Sequence, residues 1–445
     1  MNLIKKTIGL ILFIYLFVFF NPMAMADLPF TVQHFETPEG LSVDFVHEDS
    51  IPIVVMELGF HAGSGYDRSN PGLANLVAHS LGEATSHQNG NQIAESLDAT
   101  GAELSVNVDP DLTVLTMHSQ SDPIDLNAAV GALVPVVSDL NISQDILNRE
   151  QQSQIQALEI SHSQPDQLAR QTLMQILFAG TPYEFSILGK EDSVSAITTQ
   201  NVMDFYHQYY QDQNGVFVIV GNIDLVTAKA VAESFSQAFP SGQLAPALVV
   251  KPNPPAMQKV HVYFPSKQTT ILIGQVAMAK KNPLNLGLLA GSIILGGPTL
   301  KSLLFDSTRQ QGLEGLTYLA SSSLDTYGGA GVFSILAQTQ SDAANAVQNQ
   351  VETIFQNLVT QGPADNNLSN ARSFLVGNLI LKYSSDQSLA DLLLMLKAYG
   401  YPENYLDQIS QNLLLLTPTD VTNALQKLTQ NGPQVIVTVG GDKSQ

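Results

Sequence analysis

The chain contains one strand-and-helix pattern twice, and this duplication limits the folds that are open to it. Residues 114–122 (VLTMHSQSD) lead into the apolar stretch LNAAVGALVPVV at 126–137, and residues 332–342 (VFSILAQTQSD) lead into AANAVQNQVETIF at 343–355. Each copy predicts an alternating strand followed by an amphipathic helix that begins near an Asp or Ser cap. The sequence therefore predicts a duplicated α+β fold.

A second pair of segments marks where the two copies end. Residues 216–224 (VFVIVGNID) close the first half and residues 435–442 (VIVTVGGD) close the second, both as short β-rich runs that end in Gly and a polar turn. Between the halves the chain is rich in Pro, Gly, Ala and Leu and includes KPNPP, which cannot be helical. We predict an N-terminal domain at 27–240, a linker at 241–256 and a C-terminal domain at 257–445, and such halves commonly bury a ligand cavity between them.

The first 26 residues have the features of a secretory signal peptide. Lys5 and Lys6 precede an apolar run at 7–20, and the sequence AMA at 24–26 resembles a cleavage site. This apolar run is shorter than the roughly 20 residues that span a bilayer, so we interpret residues 1–26 as a cleaved signal rather than the alternative, an uncleaved anchor. We therefore expect export without a stable membrane anchor.

The composition of the chain excludes some kinds of metal site and disfavours some kinds of binding partner. The 445-residue chain has no Cys, which excludes disulfides and thiolate metal sites, so an exported protein of this length depends on its hydrophobic core. With 40 acidic and 19 basic residues, its formal net charge of -21 disfavours nucleic acid and anionic lipid as partners.

Short fragments along both halves follow the order found in one family of zinc peptidases. They include GSG at 63–65, NPGLA at 70–74, LDATGAEL at 97–104, GTPY at 180–183, GLTY at 315–318, YGYP at 399–402 and LTPTDV at 416–421. In this order they resemble the pitrilysin/insulinase family, and the subunits of mitochondrial processing peptidase in particular. The resemblance implies two duplicated LuxS/processing-peptidase-like domains, each a mixed, mainly antiparallel sheet with helices packed on it.

The resemblance also places the family's zinc motif, the inverted H-x-x-E-H, on NLVAH at residues 75–79. Such a site needs two imidazoles one helical turn apart and a carboxylate that deprotonates the bound water. Here the first ligand position is Asn75 and the general-base position is Ala78, so only His79 matches. The family's third ligand, carried over by its register on a later helix, falls on Ala157. The resemblance therefore implies that this chain binds no metal and has no catalytic residue, with His79 as a remnant.

Two residues of the second half are implied in substrate binding. In the family an Arg and a Tyr of the C-terminal domain bind the substrate backbone, and the matching segment here is RQQGLEGLTY at 309–318. Tyr318 matches the Tyr, whereas Arg309 lies two residues upstream of the usual spacing, so either Arg309 or Gln311 takes the arginine position. Guanidinium and phenol donors suit a peptide backbone. The strand LSVNV at 104–108 corresponds to the family's edge strand, to which substrate adds by main-chain hydrogen bonds.

These features lead to two main hypotheses. The first is a non-catalytic, pseudo-peptidase subunit of a zinc metalloendopeptidase heterodimer in the periplasm. A homologous partner would carry H-x-x-E-H and the zinc, and this chain would complete the chamber and bind a peptide or unfolded protein. The second is a stand-alone or homodimeric scaffold that binds peptides or proteins without cleavage. Residual hydrolase activity of this chain alone would require a metal site built from other residues.

Overall fold

Two β-sheets, one from each half of the chain, organise the computed structural model. It describes residues 28–254, 256–299, 301–305 and 317–441. The predicted signal peptide at 1–26 and the predicted substrate residues Arg309 and Gln311 lie outside the described residues.

Six strands from the first half form the first sheet. They are β1 (Gln33–Glu36), β2 (Ser42–His47), β3 (Ile53–Phe60), β4 (Glu103–Val108), β5 (Thr113–Gln120) and β6 (Gly215–Gly221). Their spatial order is β1-β2-β6-β3-β5-β4, and neighbours are antiparallel except β2 and β6, which are parallel. The central strands β3 and β6 are buried along nearly their whole length. This explains why both read as almost continuous apolar runs.

The described residues of the first half also form eight helices. These are α1 (Leu73–Ser80), α2 (Gly90–Thr100), α3 (Pro123–Ser138), α4 (Gln144–His162), α5 (Pro165–Leu177), α6 (Glu191–Ala196), α7 (Thr199–Tyr209) and α8 (Leu225–Ser236). Helices α1, α3, α7 and α8 bury their apolar faces against one side of the first sheet. Polar residues fix where several of them begin, since Asn89 with Gln92 and Thr198 with Asn201 form capping boxes at α2 and α7.

The second sheet repeats this design with five strands. They are β7 (Gln258–Tyr263), β8 (Gln268–Ala277), β9 (Thr317–Thr326), β10 (Gly331–Gln340) and β11 (Val435–Gly440), in the order β7-β11-β8-β10-β9. Only β7 and β11 are parallel. The helices described in this half are α9 (Asn285–Gly296), α10 (Ala344–Gln361), α11 (Asp365–Lys382), α12 (Asp386–Ala398), α13 (Tyr405–Leu415) and α14 (Pro418–Gln430). Across the described residues, no helix has both the length and the apolar character that a membrane crossing requires.

The predicted fold class is confirmed. Each half is a mixed, mainly antiparallel sheet with helices packed on it, and the two duplicated sequence patterns correspond to β5 followed by α3 and to β10 followed by α10. The described residues from Val32 onwards pack as one compact unit. The exact ends of the two domains and of the linker therefore stay predictions.

Each half contributes one helix to the sheet of the other half. Helix α5 of the first half packs against β8 and β11, where Leu173 lies so close to Gly274 that a Cβ there would be 2.4 Å from its methyl group. Helix α12 of the second half packs against β3 and β6, with Leu394 against Gly59. Both sheets are therefore covered on two faces, and one cover of each comes from the other half of the chain.

Candidate functional site

Two buried side-chain amides join α1 to α4 at the degenerate zinc motif. Asn75 Nδ2 donates to Oε1 of Gln154 at 3.0 Å. Gln154 Nε2 in turn donates to the carbonyl oxygens of Gly72 and Leu188, each at 2.9 Å. Both amide side chains are buried. This amide network, defined by Asn75, Gln154, Gly72 and Leu188, ties α1 to α4 and to the loop that contains Leu188.

Asp67 and Gly72 fix the start of α1. The Asp67 carboxylate accepts the backbone N–H groups of Gly72 at 2.6 Å and Ala74 at 2.7 Å. Burial raises the pKa of Asp67 to about 8, and these backbone donors act in the opposite direction. Gly72 has a φ of 97°, and a Cβ there would lie only 2.7 Å from Nε2 of Gln154. A glycine at this position therefore allows Gln154 to reach the backbone of α1.

Gln154, and not the predicted Ala157, is the residue of α4 that contacts Asn75. The buried residues of α4 are Leu147, Gln151, Gln154 and Leu158, which recur every three or four positions and form one face. Ala157 is only half-buried and lies outside this face. We therefore propose that Gln154 takes the third-ligand position, three residues before the position given by the family register.

The general-base position and the remaining histidine have different surroundings. Ala78 is fully buried in the first core, whereas His79 is exposed. Close to His79, Arg149 pairs with the carboxylates of Glu83 and Glu150, the latter at 3.2 Å. Burial and the charge of Glu83 raise the pKa of Glu150, while Arg149 and His79 lower it. His79 therefore lies beside a partly solvated group of charged side chains. At the general-base position the chain has only the methyl group of Ala78.

The residues at this position do not fit zinc. Zinc in proteins is bound by imidazole nitrogen, thiolate and carboxylate oxygen, and among Asn75, Ala78, His79 and Gln154 only the histidine offers such a ligand. The amide nitrogen of Asn75 and both polar atoms of Gln154 are already hydrogen-bonded. Within the part of the chain that the structure describes, no group of three or more His, Asp or Glu side chains is arranged to hold a metal ion. The donor set therefore supports a structural role for the amide network.

Replacing Gln154 with Met should lower the free energy of unfolding by about 3 kcal/mol or more. The change leaves one amide nitrogen and two carbonyl oxygens without their partner, and each unmet buried polar group costs about 1–3 kcal/mol. Denaturant unfolding followed by circular dichroism measures the loss. Gln156→Met, on the exposed side of the same helix, is the matched control and should change stability by less than about 0.5 kcal/mol. Equal losses in the two variants would contradict the role assigned to Gln154.

Tyr318, the predicted substrate residue, is accessible near the start of the edge strand β9. It is 54% exposed and lines an open concavity of about 770 Å³ at one end of the second sheet. Tyr263, Lys267, Gln340 and Asp342 also line this concavity. Its lining residues all come from the second half, so the concavity is separate from the amide network. The structure thus leaves the Tyr318 phenol open to a ligand without bringing it to Asn75.

Strand β4, the predicted peptide-receiving strand, lies at one edge of the first sheet. It pairs with β5 along its whole length from Glu103 to Val108, and it packs near α1. Its first five residues alternate between exposed and half-buried side chains. This position at the sheet edge is the one that an added peptide strand would need.

Asp111 joins the two halves of the chain through hydrogen bonds. Its carboxylate accepts the hydroxyl of Tyr183 from the first half. From the second half it accepts the hydroxyl of Tyr399 at 2.7 Å and the N–H of Gly328 at 2.6 Å. The N–H of Gly329 donates to the Tyr183 oxygen at 3.1 Å. We call Asp111, Tyr183, Gly328, Gly329 and Tyr399 the junction cluster, since it connects the turn between β4 and β5 to the second half.

The electrostatics of the junction cluster keep its phenols protonated. Burial raises the pKa values of Tyr183 and Tyr399, and the negative charge of Asp111 raises both further. The Lys280 ammonium lies 4.5 Å from the centre of the Tyr399 ring. Burial lowers the pKa of Lys280, while Asp109 and Asp111 raise it. Both phenols therefore act as hydrogen-bond donors near neutral pH.

A second buried carboxyl lies where α12 covers the first sheet. Glu57 of β3 is fully buried and accepts hydrogen bonds from Gln387 of α12 and Thr116 of β5. The Gln387 side-chain oxygen also lies 2.7 Å from Nε2 of His118. Burial raises the pKa of Glu57 to about 8, and Asp391 of α12 raises it as well, against the hydrogen bonds from Gln387 and Thr116. At neutral pH the protonated form of Glu57 is therefore favoured.

We expect Glu57 to make the protein less stable as the pH rises. Its pKa is about 8 in the folded chain against an ordinary value of 4.5, so the folded chain holds this proton more tightly and the free energy of unfolding falls between these two values. Glu57→Gln cannot titrate, so its stability relative to the natural chain should grow from pH 4.5 to pH 8. Denaturant unfolding at a series of pH values tests this. Glu95→Gln, on the exposed side of α2, should leave the pH dependence of the free energy of unfolding unchanged. If Glu57→Gln also leaves it unchanged, Glu57 does not titrate in this pH range.

Two profiles of known protein families match this chain. A family profile described as "Insulinase (Peptidase family M16)" matches residues 44–191, and one described as "Peptidase M16 inactive domain" matches residues 196–375. The two matches cover more than half of the chain. The chain belongs to peptidase family M16. The predicted membership in the pitrilysin/insulinase family is thereby confirmed.

Other M16 proteins are similar to this chain along most of its length. An uncharacterized zinc protease of Rickettsia felis is 24% identical over 77% of this chain and 81% of the relative. A protein of Helicobacter pylori described as "Non-peptidase homolog YmxG" is 21% identical over 90% of this chain and 92% of the relative. A crystal structure described as a peptidase M16 inactive domain from Pseudomonas fluorescens has a TM-score of 0.88 and 27% identity, and the match covers 93% of this chain and 99% of that one. The chain is thus an inactive-type M16 member, which fits a non-catalytic role.

Proposed function

We propose that this M16 protein is the non-catalytic subunit of an exported zinc metalloendopeptidase that works as a heterodimer. A homologous partner carries H-x-x-E-H and the zinc, and this chain completes the chamber and binds the peptide substrate. The observation that carries the proposal is the amide network. In this proposal Asn75 and Gln154 take two of the ligand positions, and their side-chain amides are poor zinc ligands that are already hydrogen-bonded.

Peptide binding by this chain is supported by two accessible features. The phenol of Tyr318 is exposed in a concavity and can donate a hydrogen bond to a peptide carbonyl. Strand β4 lies at a sheet edge near α1, where an extended peptide can add as a further strand. Arg309 supplies a second donor for the peptide in this proposal, as the family resemblance implies.

Export to the periplasm is also part of the proposal. It rests on the signal-like sequence at 1–26, which ends in AMA. Mass spectrometry of the protein recovered from the periplasmic fraction of a Gram-negative host should give a mature chain that begins at Asp27. A chain that retains residues 1–26 in the cytoplasm would contradict this part of the proposal.

The subunit role is tested by peptide cleavage with a purified M16 homologue from the same genome that carries intact H-x-x-E-H. Cleavage should require this chain at equal concentration. Arg309→Ala should lower kcat/KM by about ten- to a hundredfold, since a hydrogen bond from a charged donor is worth about 1.5–3 kcal/mol. Tyr318→Phe should lower it by about two- to tenfold, as expected for a neutral hydrogen bond.

Tyr263→Phe is the matched control, because Tyr263 is the other exposed phenol of the same concavity. It should leave kcat/KM unchanged. If the homologue cleaves equally well alone, the subunit role is wrong and the chain is better described as a stand-alone or homodimeric binding scaffold. If cleavage needs this chain but not Tyr318 or Arg309, the subunit role stands and the substrate contacts lie elsewhere.

A further inference from the structure

A second cavity lies beside the start of α1 and is lined by residues of the first half and of the predicted linker. Its volume is about 490 Å³, within the range of small-molecule pockets. Three aromatic and three proline side chains contribute to its walls, namely Tyr66, Phe185, Tyr209, Pro71, Pro182 and Pro246. The cavity shares no residue with the concavity around Tyr318. Its walls therefore combine aromatic and proline side chains with polar and charged ones, including Asp67, Arg68 and Glu184.

Arg68 lines this cavity in an unusual backbone conformation. Its φ is 53°, and it is the only residue other than glycine with a positive φ in the described part of the chain. Such a conformation is unfavourable for a long side chain, and it recurs at binding and catalytic sites. The Arg68 side chain is exposed. The outlying backbone conformation of Arg68 supports the hypothesis that this residue takes part in binding.

Two acidic groups, Asp67 and Glu184, line the cavity together with Arg68. Both oxygens of Asp67 accept backbone N–H groups at the start of α1, and Glu184 accepts the N–H of Gly180 at 2.7 Å. Among the described residues no carboxylate forms an ion pair with Arg68. Burial raises the pKa of the Tyr209 phenol, and the Arg68 guanidinium, which lies near it, lowers that pKa by a smaller amount. The Arg68 side chain is thus exposed and lines the cavity, where its guanidinium can meet a ligand.

A ligand that fits this cavity needs a carboxylate that can pair with Arg68 and an apolar group that can pack on the aromatic and proline side chains. A guanidinium binds a carboxylate through two parallel hydrogen bonds, and the aromatic and proline walls bury an apolar side chain. The terminal residue of a peptide presents both groups together, with its free α-carboxylate next to its side chain. An isolated phosphate or sulfate would leave the apolar walls unused.

We propose that this cavity binds the C-terminal end of a peptide, with the α-carboxylate on Arg68 and an apolar terminal side chain between Tyr66, Tyr209 and Phe185. The proposal deepens the peptide-binding function proposed above and rests on it. It adds a site that recognises a chain end, whereas Tyr318 and β4 contact the peptide backbone. A chain end held here would set which peptides the chain retains.

The test is direct binding to the full mature chain, without any partner subunit. The probes are three fluorescent tetrapeptides with blocked amino ends. The first ends in phenylalanine with a free carboxylate, the second is its C-terminal amide, and the third is the same amide with an internal glutamate. Fluorescence anisotropy should show the free acid binding about tenfold more tightly than either amide. Arg68→Gly should bring the free acid down to the level of the amide.

The variants separate a binding role from a structural one. Arg68→Gly removes the side chain at a position where glycine is unstrained, so its unfolding midpoint should stay equal or rise while the preference for the free acid is lost. Arg68→Lys keeps the charge without the fork and should recover only part of the preference.

Four outcomes would overturn the proposal: equal binding of acid and amide, tighter binding of the peptide with the internal glutamate, unchanged preference in Arg68→Gly, or no binding of any probe at millimolar concentration. Because this assay contains no partner, it can succeed even if the heterodimer role fails. It can equally fail while the partner still depends on this chain for cleavage, so the two proposals are judged separately.

Discussion

The double variant Asn75→His/Gln154→Glu should bind one zinc ion per chain, whereas the natural chain should bind none under the same conditions. His79 follows position 75 by one helical turn, and Gln154 already lies within hydrogen-bond distance of Asn75. The two changes therefore assemble two imidazoles and a carboxylate around one point, which is the ligand set of many zinc enzymes. Ala78 is left unchanged because it is fully buried, and a carboxylate there would be costly.

Stability gives a second readout of the same variant. Without zinc, Gln154→Glu removes the donor to the carbonyls of Gly72 and Leu188, so the metal-free double variant should be less stable than the natural chain. Zinc that binds only the folded state should restore about 2.7 kcal/mol when its concentration is a hundred times the Kd. Isothermal titration calorimetry gives the stoichiometry, and denaturant unfolding with and without zinc gives the stabilisation.

The matched control places the carboxylate at the position that the family register predicts. Asn75→His/Ala157→Glu keeps Gln154 and should not gain zinc binding, since Ala157 lies outside the buried face of α4. If this control binds zinc and the Gln154 variant does not, the assignment of Gln154 is wrong and the register from sequence is right. If neither binds, α1 and α4 do not hold the geometry of a metal site even with the ligands restored.

Asp111→Ala should lower the free energy of unfolding by about 4 kcal/mol and loosen the contact between the halves. Asp111 accepts three hydrogen bonds, two of them from residues of the second half, and its removal leaves buried hydroxyl and N–H donors unmet. Losses of about 3–5 kcal/mol are typical when one partner of a buried charged group is removed. Denaturant unfolding measures the loss, and limited proteolysis reports cleavage between the halves.

Two further variants identify the source of the effect. Asp98→Ala, on the exposed side of α2, should change stability by less than about 0.5 kcal/mol. Tyr399→Phe should be costly in the natural chain but much less so in Asp111→Ala, because the hydroxyl has then already lost its acceptor. Additive losses would mean that Tyr399 and Asp111 stabilise the chain independently and that the junction cluster is not a unit.

The sequence predicted the architecture because the relevant patterns are local. The strand and helix of each duplicated segment follow one another directly, so periodicity and capping residues suffice to place β5 with α3 and β10 with α10. The loss of H-x-x-E-H is likewise local, since Asn75, Ala78 and His79 lie within one short helix.

The remaining features depend on contacts that sequence spacing does not reveal. Asp111 and Tyr399 are 288 residues apart, and a DPD turn gives no sign that its second Asp joins the two halves. Gln154 is an exception, because it lies on the same buried helical face as Leu147 and Leu158, whereas Ala157 does not. The positive φ of Arg68 has no signature in its residue type, so the sequence does not reveal it.

The reciprocal covering of the two sheets has a consequence for how the chain is made. The outer face of the first sheet is covered by α12, whose residues are synthesised more than 160 positions after the last strand of that sheet. The first half therefore cannot finish folding during its own synthesis. Its apolar strands stay uncovered on one face until α12, near the far end of the polypeptide, has been made. Such long-range pairing slows folding and prolongs the exposure of aggregation-prone strands. In the export proposed above, the chain crosses a membrane before it folds, and slow folding favours that order of events. A gene cut at the linker should yield two insoluble pieces rather than two working domains.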